Sequence, residues 1–248
     1  MVGRAIAGRA GWMRTAQRSV PTVQKMIKLE AQPDEIYDIE LEHSLLEANE
    51  KLARQNRTLL DQHGATAIDF MGAIGSGKTT LITKLAEKLR RLCGVAVFNG
   101  DATTSEDADQ IEKLGVPVVQ IATINGCHLD ANLVGKGLRK IDISKAKFIF
   151  IENIGNLICP AEFPLGSKAR VVVVSVTEGP WMVRKHPHMF LGAQIVVINK
   201  IDLADAMGVS VEALTNDVHI LKPDIKVIPT SCRTGEGIDG VAEALLAI

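Results

Sequence analysis

Apolar residues along this chain fall into two alternating kinds of run. Short, nearly continuous stretches predict strands at Thr66–Met71, Val95–Asn99, Val116–Ile121, Phe148–Ile151, Ala169–Val176, Gln194–Ile198 and Lys226–Ile228. Between them, segments with helical patterning predict helices near Lys78–Leu92, Ser105–Leu114, Asp130–Arg139, Ser210–Leu221 and Ile238–Leu246. Continuous apolar runs suit strands buried on both faces, as in parallel sheets covered by helices. The expected fold is α/β, a mostly parallel central sheet flanked by helices.

The region before the first of these strands reads differently. Leu41, Leu45, Ala48, Leu52 and Leu59 are spaced by three, four or seven, with charged and amide residues between them. That pattern predicts a long amphipathic helix from Asp38 to Asp61, ended by His63-Gly64. Two homes fit its apolar face, the adjoining domain or a second helix, and the register is too short to specify a coiled coil. Residues 38–64 are therefore read as a helix packed on a domain spanning 65–248, and residues 1–37 as a flexible or partner-docking arm. Met1–Pro21 holds four arginines, three glycines and no acidic residue, and lacks the apolar centre of a secretory signal. Residues 22–37, interrupted by Pro33, read as a connector or a short irregular start.

Charge narrows the function classes. Lys and Arg number 28 against 29 Asp and Glu, a formal net charge of −1, which gives no electrostatic case for a nucleic-acid partner. No apolar stretch is long enough to span a membrane. The four cysteines, at 93, 127, 159 and 232, are too scattered for a disulfide framework and suit reduced thiols in a cytoplasmic protein. Cys93, beside Leu92 and just before a strand, reads as a core residue.

Chemistry enters at Gly72-Ala73-Ile74-Gly75-Ser76-Gly77-Lys78-Thr79, a complete phosphate-loop pattern between a predicted strand and a predicted helix continued by Thr80. Glycines at 72, 75 and 77 let backbone amides and the helix N-terminus wrap phosphate, with Ser76 and Thr80 among the groups around it. Lys78 is assigned to the β- and γ-phosphate oxygens and the Thr79 hydroxyl to magnesium. Asp101 follows the second predicted strand and can reach the same ion or its waters. Glu152, at the end of the 148–151 strand, is assigned the same neighbourhood, although it is one methylene longer than the aspartate usual in GTPases. Gly155 can offer its amide to the γ-phosphate and reorganise when that phosphate leaves. Lys78, Asp101, Glu152 and Gly155 are thus the catalytic candidates. Asn156 and Leu157 follow Gly155 where a water-orienting glutamine would be sought, so slow intrinsic hydrolysis is expected.

Asn199-Lys200-Ile201-Asp202 follows another apolar run. The Asp202 carboxylate is a double acceptor for the two N–H donors on guanine's edge, a pair that adenine lacks. Lys200 can lay its stem over the base, Asn199 can steady the neighbouring loops, and Ser231-Cys232-Arg233 stands where a loop can close on the base. The expected nucleotide is GTP, released as GDP.

Cys127-His128 lies in a turn opened by Asn125-Gly126, and Cys159 comes seven residues after Glu152. Two readings stay open on spacing alone. The thiols are small buried hydrophobes, or Cys127, His128 and Cys159 meet as a borderline-soft site for Zn²⁺ or Ni²⁺. Such a site would lack a fourth ligand, for which Asp130 or a second subunit is available. His186 and His188, separated by Pro187 and far from any thiol, read as a solvated loop.

Taken together, Gly72–Thr79, Gly100-Asp101, Gly126-Cys127-His128-Leu129-Asp130, Glu152-Asn153-Ile154-Gly155-Asn156-Leu157-Ile158-Cys159-Pro160 and Asn199–Asp202 resemble the hydrogenase nickel-incorporation GTPase family, HypB. The resemblance covers about residues 38–248. It implies a P-loop NTPase of the nucleotide-dependent dimer class, a homodimer promoted by GTP and metal. It also implies nickel or zinc held by Cys127, His128 and Cys159 at or near the subunit interface. A small zinc-containing nickel metallochaperone, HypA-like, and the [NiFe]-hydrogenase large subunit are the implied partners. Two capacities of some relatives do not carry over, because residues 1–60 contain no cysteine and only His43. In the urease accessory GTPases, which have a similar fold, a proline separates the cysteine and histidine that are adjacent here.

Overall fold

A computed structural model of the chain describes residues 27–30, 42–100, 111–123, 128–156 and 162–248. Met1–Pro21, most of the 22–37 connector, and Ser105–Gln110 of the predicted Ser105–Leu114 helix lie outside the described residues.

One eight-stranded sheet organises the rest, in the order β1-β4-β3-β5-β2-β6-β7-β8 with every neighbouring pair parallel. Its strands are β1 (Ile27–Glu30), β2 (Thr66–Met71), β3 (Val95–Asn99), β4 (Val118–Ala122), β5 (Phe148–Glu152), β6 (Ala169–Ser175), β7 (Ile195–Asn199) and β8 (Lys226–Pro229). The main helices among the described residues are α1 (Glu42–Gln62), α2 (Lys78–Leu89), α3 (Ala131–Leu138), α4 (Val211–Leu221) and α5 (Ile238–Leu246).

Apolar side chains of the inner strands fill both faces, as their unbroken sequence runs require. On one face α2 and α5 cover Ile68, Phe70, Phe148, Phe150, Val171 and Val173. Phe70 and Phe150 meet edge-on with ring centroids 5.4 Å apart. On the other face α1 and α3 cover Ala67, Phe98, Val119, Ile149 and Ile151, while α4 and two short turns at 182–191 cover Val172, Val174, Val196 and Ile198. Burying each such Val, Ile or Phe contributes about 1.5–3 kcal/mol. Because every strand pair is parallel, all the strands open their carboxyl ends along one rim of the sheet.

Differences from the sequence reading have local causes. The strand expected at Val116 begins at Val118, because Pro117 has no N–H for the ladder and offers its carbonyl to Val97 instead. The strand expected to reach Val176 stops at Ser175, which caps a 3₁₀ turn and receives the Glu178 carboxylate on its own N–H at 2.8 Å. Strand β1 has no counterpart in the sequence reading. Four residues of the mixed 22–37 segment are a weak signal alone, and their extended form is set by the exposed edge of β4 with which they pair.

Helix α1 bears out the predicted Asp38–Asp61 helix from Glu42 onward, residues 38–41 lying outside the described residues, but a different face is buried. Asn49, Ala53, Asn56 and Leu60 form the buried stripe, while Ala48 is exposed and Leu52 and Leu59 are only half-buried. The asparagines are accepted there because backbone groups satisfy them. Asn49 Nδ2 donates to Pro164 O at 2.9 Å and its Oδ1 accepts from Ala131 N at 2.8 Å. Asn56 Nδ2 donates to Ala131 O at 2.7 Å and Leu165 O at 3.1 Å. One helix thereby fixes both the start of α3, just beyond His128, and the 164–165 segment, which follows Cys159 in sequence.

Candidate functional site

The rim of strand ends gathers the predicted residues. Gly72 follows β2, Gly100 follows β3, Glu152 ends β5, Asn199 ends β7 and Ser231 follows β8. A crevice beyond the carboxyl ends of a parallel sheet is where such folds take ligands.

Residues 72–77 form a tight loop into α2, which starts without a side-chain cap. Its first amides are thus left for an outside acceptor, and the helix dipole favours an anion there. Two glycines are required by space. A Cβ on Gly72 would lie 2.1 Å from Val173 O, and one on Gly77 would lie 2.2 Å from Asn199 Nδ2 at a φ of +97°. Lys78, only 3% exposed, folds over the loop and donates to Gly72 O at 3.1 Å and Ala73 O at 3.2 Å. Ser76 Oγ is buried without a hydrogen-bond partner among the described residues. Thr80 stands exposed on the first turn of α2. Glycine cradle, open helix terminus, ammonium and orphan hydroxyl together fit a polyphosphate chain.

The residues expected to serve magnesium are brought together in part. Thr79 Oγ1 donates to Glu152 Oε1 at 2.6 Å, so two of the three predicted ligands meet, and Glu152 is fully buried. A hydroxyl, a carboxylate and nearby waters are the oxygen donors Mg²⁺ prefers. Asp101 lies outside the described residues. Gly155 packs on the phosphate loop, where a Cβ would come 2.4 Å from Ile74 Cγ1.

At the base end, Asn199 ties three loops together. Its Nδ2 donates to Ser76 O at 2.9 Å, and its Oδ1 accepts from Cys232 N at 3.2 Å and Thr230 Oγ1 at 3.3 Å. Lys200 adopts φ +61°, which carries its ammonium to Gly75 O at 2.6 Å. Asp202 accepts from Ser231 Oγ at 2.5 Å and Arg233 Nε at 2.8 Å. The Ser231 hydroxyl, followed by Arg233, holds its carboxyl below the usual range, so it stays an ionised double acceptor. The Arg233 pair is exposed, and such contacts hold only weakly.

Of the three soft donors only His128 is described, since Cys127 and Cys159 lie outside the described residues. Among the described residues no group of three or more His, Cys, Asp or Glu forms a metal cage. Strands β4 and β5 are not neighbours, because β3 runs between them, yet both open at the same rim. The His128 ring stacks on Phe163 with centroids 3.9 Å apart and planes at 24°. The segment after β4 therefore touches the segment four residues beyond Cys159. Burial pushes the His128 imidazole down and the Asp130 carboxylate opposes it only in part. The result favours the neutral ring, the form that binds metal. Asp130 itself is engaged as the N-cap of α3, accepting from Leu133 N at 2.8 Å.

Other residues of the site were not singled out by sequence. Glu178 is half-buried beside the charges of Lys78 and Lys200, and its partial burial raises its carboxyl pKa. Asp69 and Arg170 form a buried pair at 3.1 Å beneath Asn153. Charged residues inside two otherwise apolar strands were the available signal for that pair.

Residues 66–229 match the family model described as CobW/HypB/UreG, nucleotide-binding domain. The chain is 47% identical over 205 residues to the probable hydrogenase maturation factor HypB of Methanocaldococcus jannaschii, covering 83% of this chain and 93% of that protein. The crystal structure of hydrogenase maturation factor HypB from Archaeoglobus fulgidus aligns with a TM-score of 0.77 at 40% identity, covering 81% of this chain and 98% of that one. HypB from Helicobacter pylori, crystallised in complex with nickel, aligns with a TM-score of 0.76 at 31% identity, covering 81% and 94%. No helix among the described residues is long and apolar enough to cross a membrane. Phosphate loop, base-reading loop, sheet order and relatives converge: the chain belongs to the CobW/HypB nucleotide-binding family, is closely related to hydrogenase maturation factor HypB, and is a GTPase.

Proposed function

We propose that this GTPase is a metallochaperone that carries nickel for [NiFe]-hydrogenase assembly, holding it through Cys127, His128 and Cys159. The observation that carries the reading is the stack of His128 on Phe163, which supports an approach of the two cysteine-bearing loops. Two thiolates and an imidazole suit Ni²⁺ or Zn²⁺, with a fourth position left for exchange. The Helicobacter pylori relative crystallised with nickel and the maturation factors among its kin support the choice of cargo.

In this account Lys78, Thr79 and the 72–77 amides hold the triphosphate, and Glu152 with Asp101 serves the magnesium shell. Bound magnesium would neutralise charge on the transferred phosphoryl group. Asp202, Lys200, Asn199 and the Ser231–Arg233 loop hold guanine. GTP draws two copies of the chain together, and hydrolysis releases the contact and the metal. A small zinc-containing nickel metallochaperone and the hydrogenase large subunit are the partners, and the arm ahead of β1 is the docking region.

The test is metal uptake with and without nucleotide. Purified chain is expected to bind nickel, and light scattering is expected to show dimer with a non-hydrolysable GTP analogue but mainly monomer with GDP. Cys127→Ala and Cys159→Ala are each expected to weaken nickel binding by about a hundredfold or more, with GTP affinity kept within about threefold. Wild-type chain that takes up neither nickel nor zinc, or cysteine variants that bind nickel normally, would remove the metal role.

A further inference from the structure

The residue after Glu152 is held by an unusual set of contacts. Asn153 is fully buried at the end of β5, and its backbone N–H donates to Phe70 O of β2 at 3.0 Å. Its Oδ1 accepts from Leu129 N at 3.1 Å and from its neighbour Ile154 N at 3.0 Å. Both donors are backbone amides, which can only donate, so the oxygen of the side-chain amide must face them. Nδ2 then faces Asp69 Oδ1 at 3.1 Å, and Asp69 Oδ2 accepts from Arg170 Nε at 3.1 Å.

Leu129 directly follows His128 and is itself fully buried. A second contact holds it to the same place. Gly100 N donates to Glu152 O at 2.8 Å, and a Cβ on Gly100 would lie 2.6 Å from Leu129 Cδ1. Thus one peptide unit separates a carboxylate hydrogen-bonded to Thr79 in the phosphate loop from an amide that grips the His128 segment. Asp69 and Arg170 fix the far side of that amide, so a shift at Glu152 is passed forward to Leu129 rather than absorbed behind it.

We propose that Asn153 is the positioning residue through which the state of the phosphate site sets the conformation of the His128–Leu129 segment. When the Thr79 hydroxyl exchanges Glu152 for another partner, the end of β5 shifts, and the Asn153 oxygen carries Leu129 with it or lets it go. Hydrogen bonds near 3 Å are lost within a few tenths of an ångström, so a small movement suffices. The consequence for metal handling rests on the Cys127–His128–Cys159 reading; the conformational link does not.

Hydrogen exchange in metal-free full chain tests the link. Wild-type amides at 128–134 are expected to differ in exchange rate at least about fivefold between the GDP form and the form with magnesium and a non-hydrolysable GTP analogue. In Asn153→Ala the two forms are expected to agree within about twofold, while protection of residues 78–89 still reports bound nucleotide. A merely structural role would raise exchange in both forms and leave their ratio alone. Should Asn153→Ala fail to fold, Asn153→Ser keeps a hydroxyl for Ile154 but is too short to span Leu129 and Asp69, and the same loss is expected. A folded Asn153 variant that keeps the wild-type ratio overturns the proposal, as does a wild type with no difference between forms. Nickel binding by wild type is measured alongside: its absence with the exchange ratio intact sinks the metal reading and supports the link.

Discussion

Asp202→Asn is expected to cost the protein its preference for guanine. In the proposed role the wild-type carboxylate offers two acceptors to the N1–H and amino group of the base, and Ser231 and Arg233 already hold it ionised. An amide keeps one acceptor and replaces the other with a donor that faces the guanine amino group. Losing a charge-assisted hydrogen bond and creating a donor–donor clash is expected to weaken GTP binding by about 10²–10⁴-fold. Xanthine carries a carbonyl at that position and should be accepted instead. Titration of fluorescent GTP and XTP against both proteins checks this. An Asp202→Asn chain that still prefers GTP would show that the base is read elsewhere.

Lys78→Ala is expected to abolish measurable turnover. The ammonium is the buried cation of the phosphate loop, resting on the carbonyls of Gly72 and Ala73. Removing one preorganised positive group aimed at developing charge lowers kcat by about 10²–10³-fold. Since a slow wild-type rate is expected, the variant should fall to background in a phosphate-release assay at saturating GTP. Circular dichroism would show that the fold survives, because α2 is anchored independently by Leu81, Ile82, Leu85 and Leu89 in the core. Undiminished phosphate release from a folded Lys78→Ala protein would place the catalytic charge on another residue.

Much of the fold was legible because its signals are local and strong. Seven strand runs, the phosphate loop and the base-reading loop each carry their pattern within a few residues, and parallel burial leaves no polar alternation to confuse the period. What escaped was set by distant partners. Strand β1 exists through the edge of β4. The buried face of α1 is marked by Asn49 and Asn56, which hydropathy counts as solvent-facing but which the backbone of 131 and 164–165 satisfies. Asn153 reads as an ordinary polar residue after a strand until Leu129 and Asp69 are seen on either side of it. Asp69 and Arg170 could have been suspected, since an isolated charge inside a buried strand needs a partner. The meeting of the 128 and 163 segments depends on α1 and on the position of β3 between β4 and β5, neither of which spacing reveals.

Cys127, His128 and Cys159 are proposed to build a GTP-controlled metal site. Crystals of the chain with nickel, magnesium and a non-hydrolysable GTP analogue, measured at the nickel and zinc absorption edges, address it most directly. An anomalous peak is expected within about 2.0–2.3 Å of the two sulfurs and one ring nitrogen of His128. A nickel peak only at His186 and His188, or no peak near Cys127 and Cys159 in metal-loaded crystals, would contradict it.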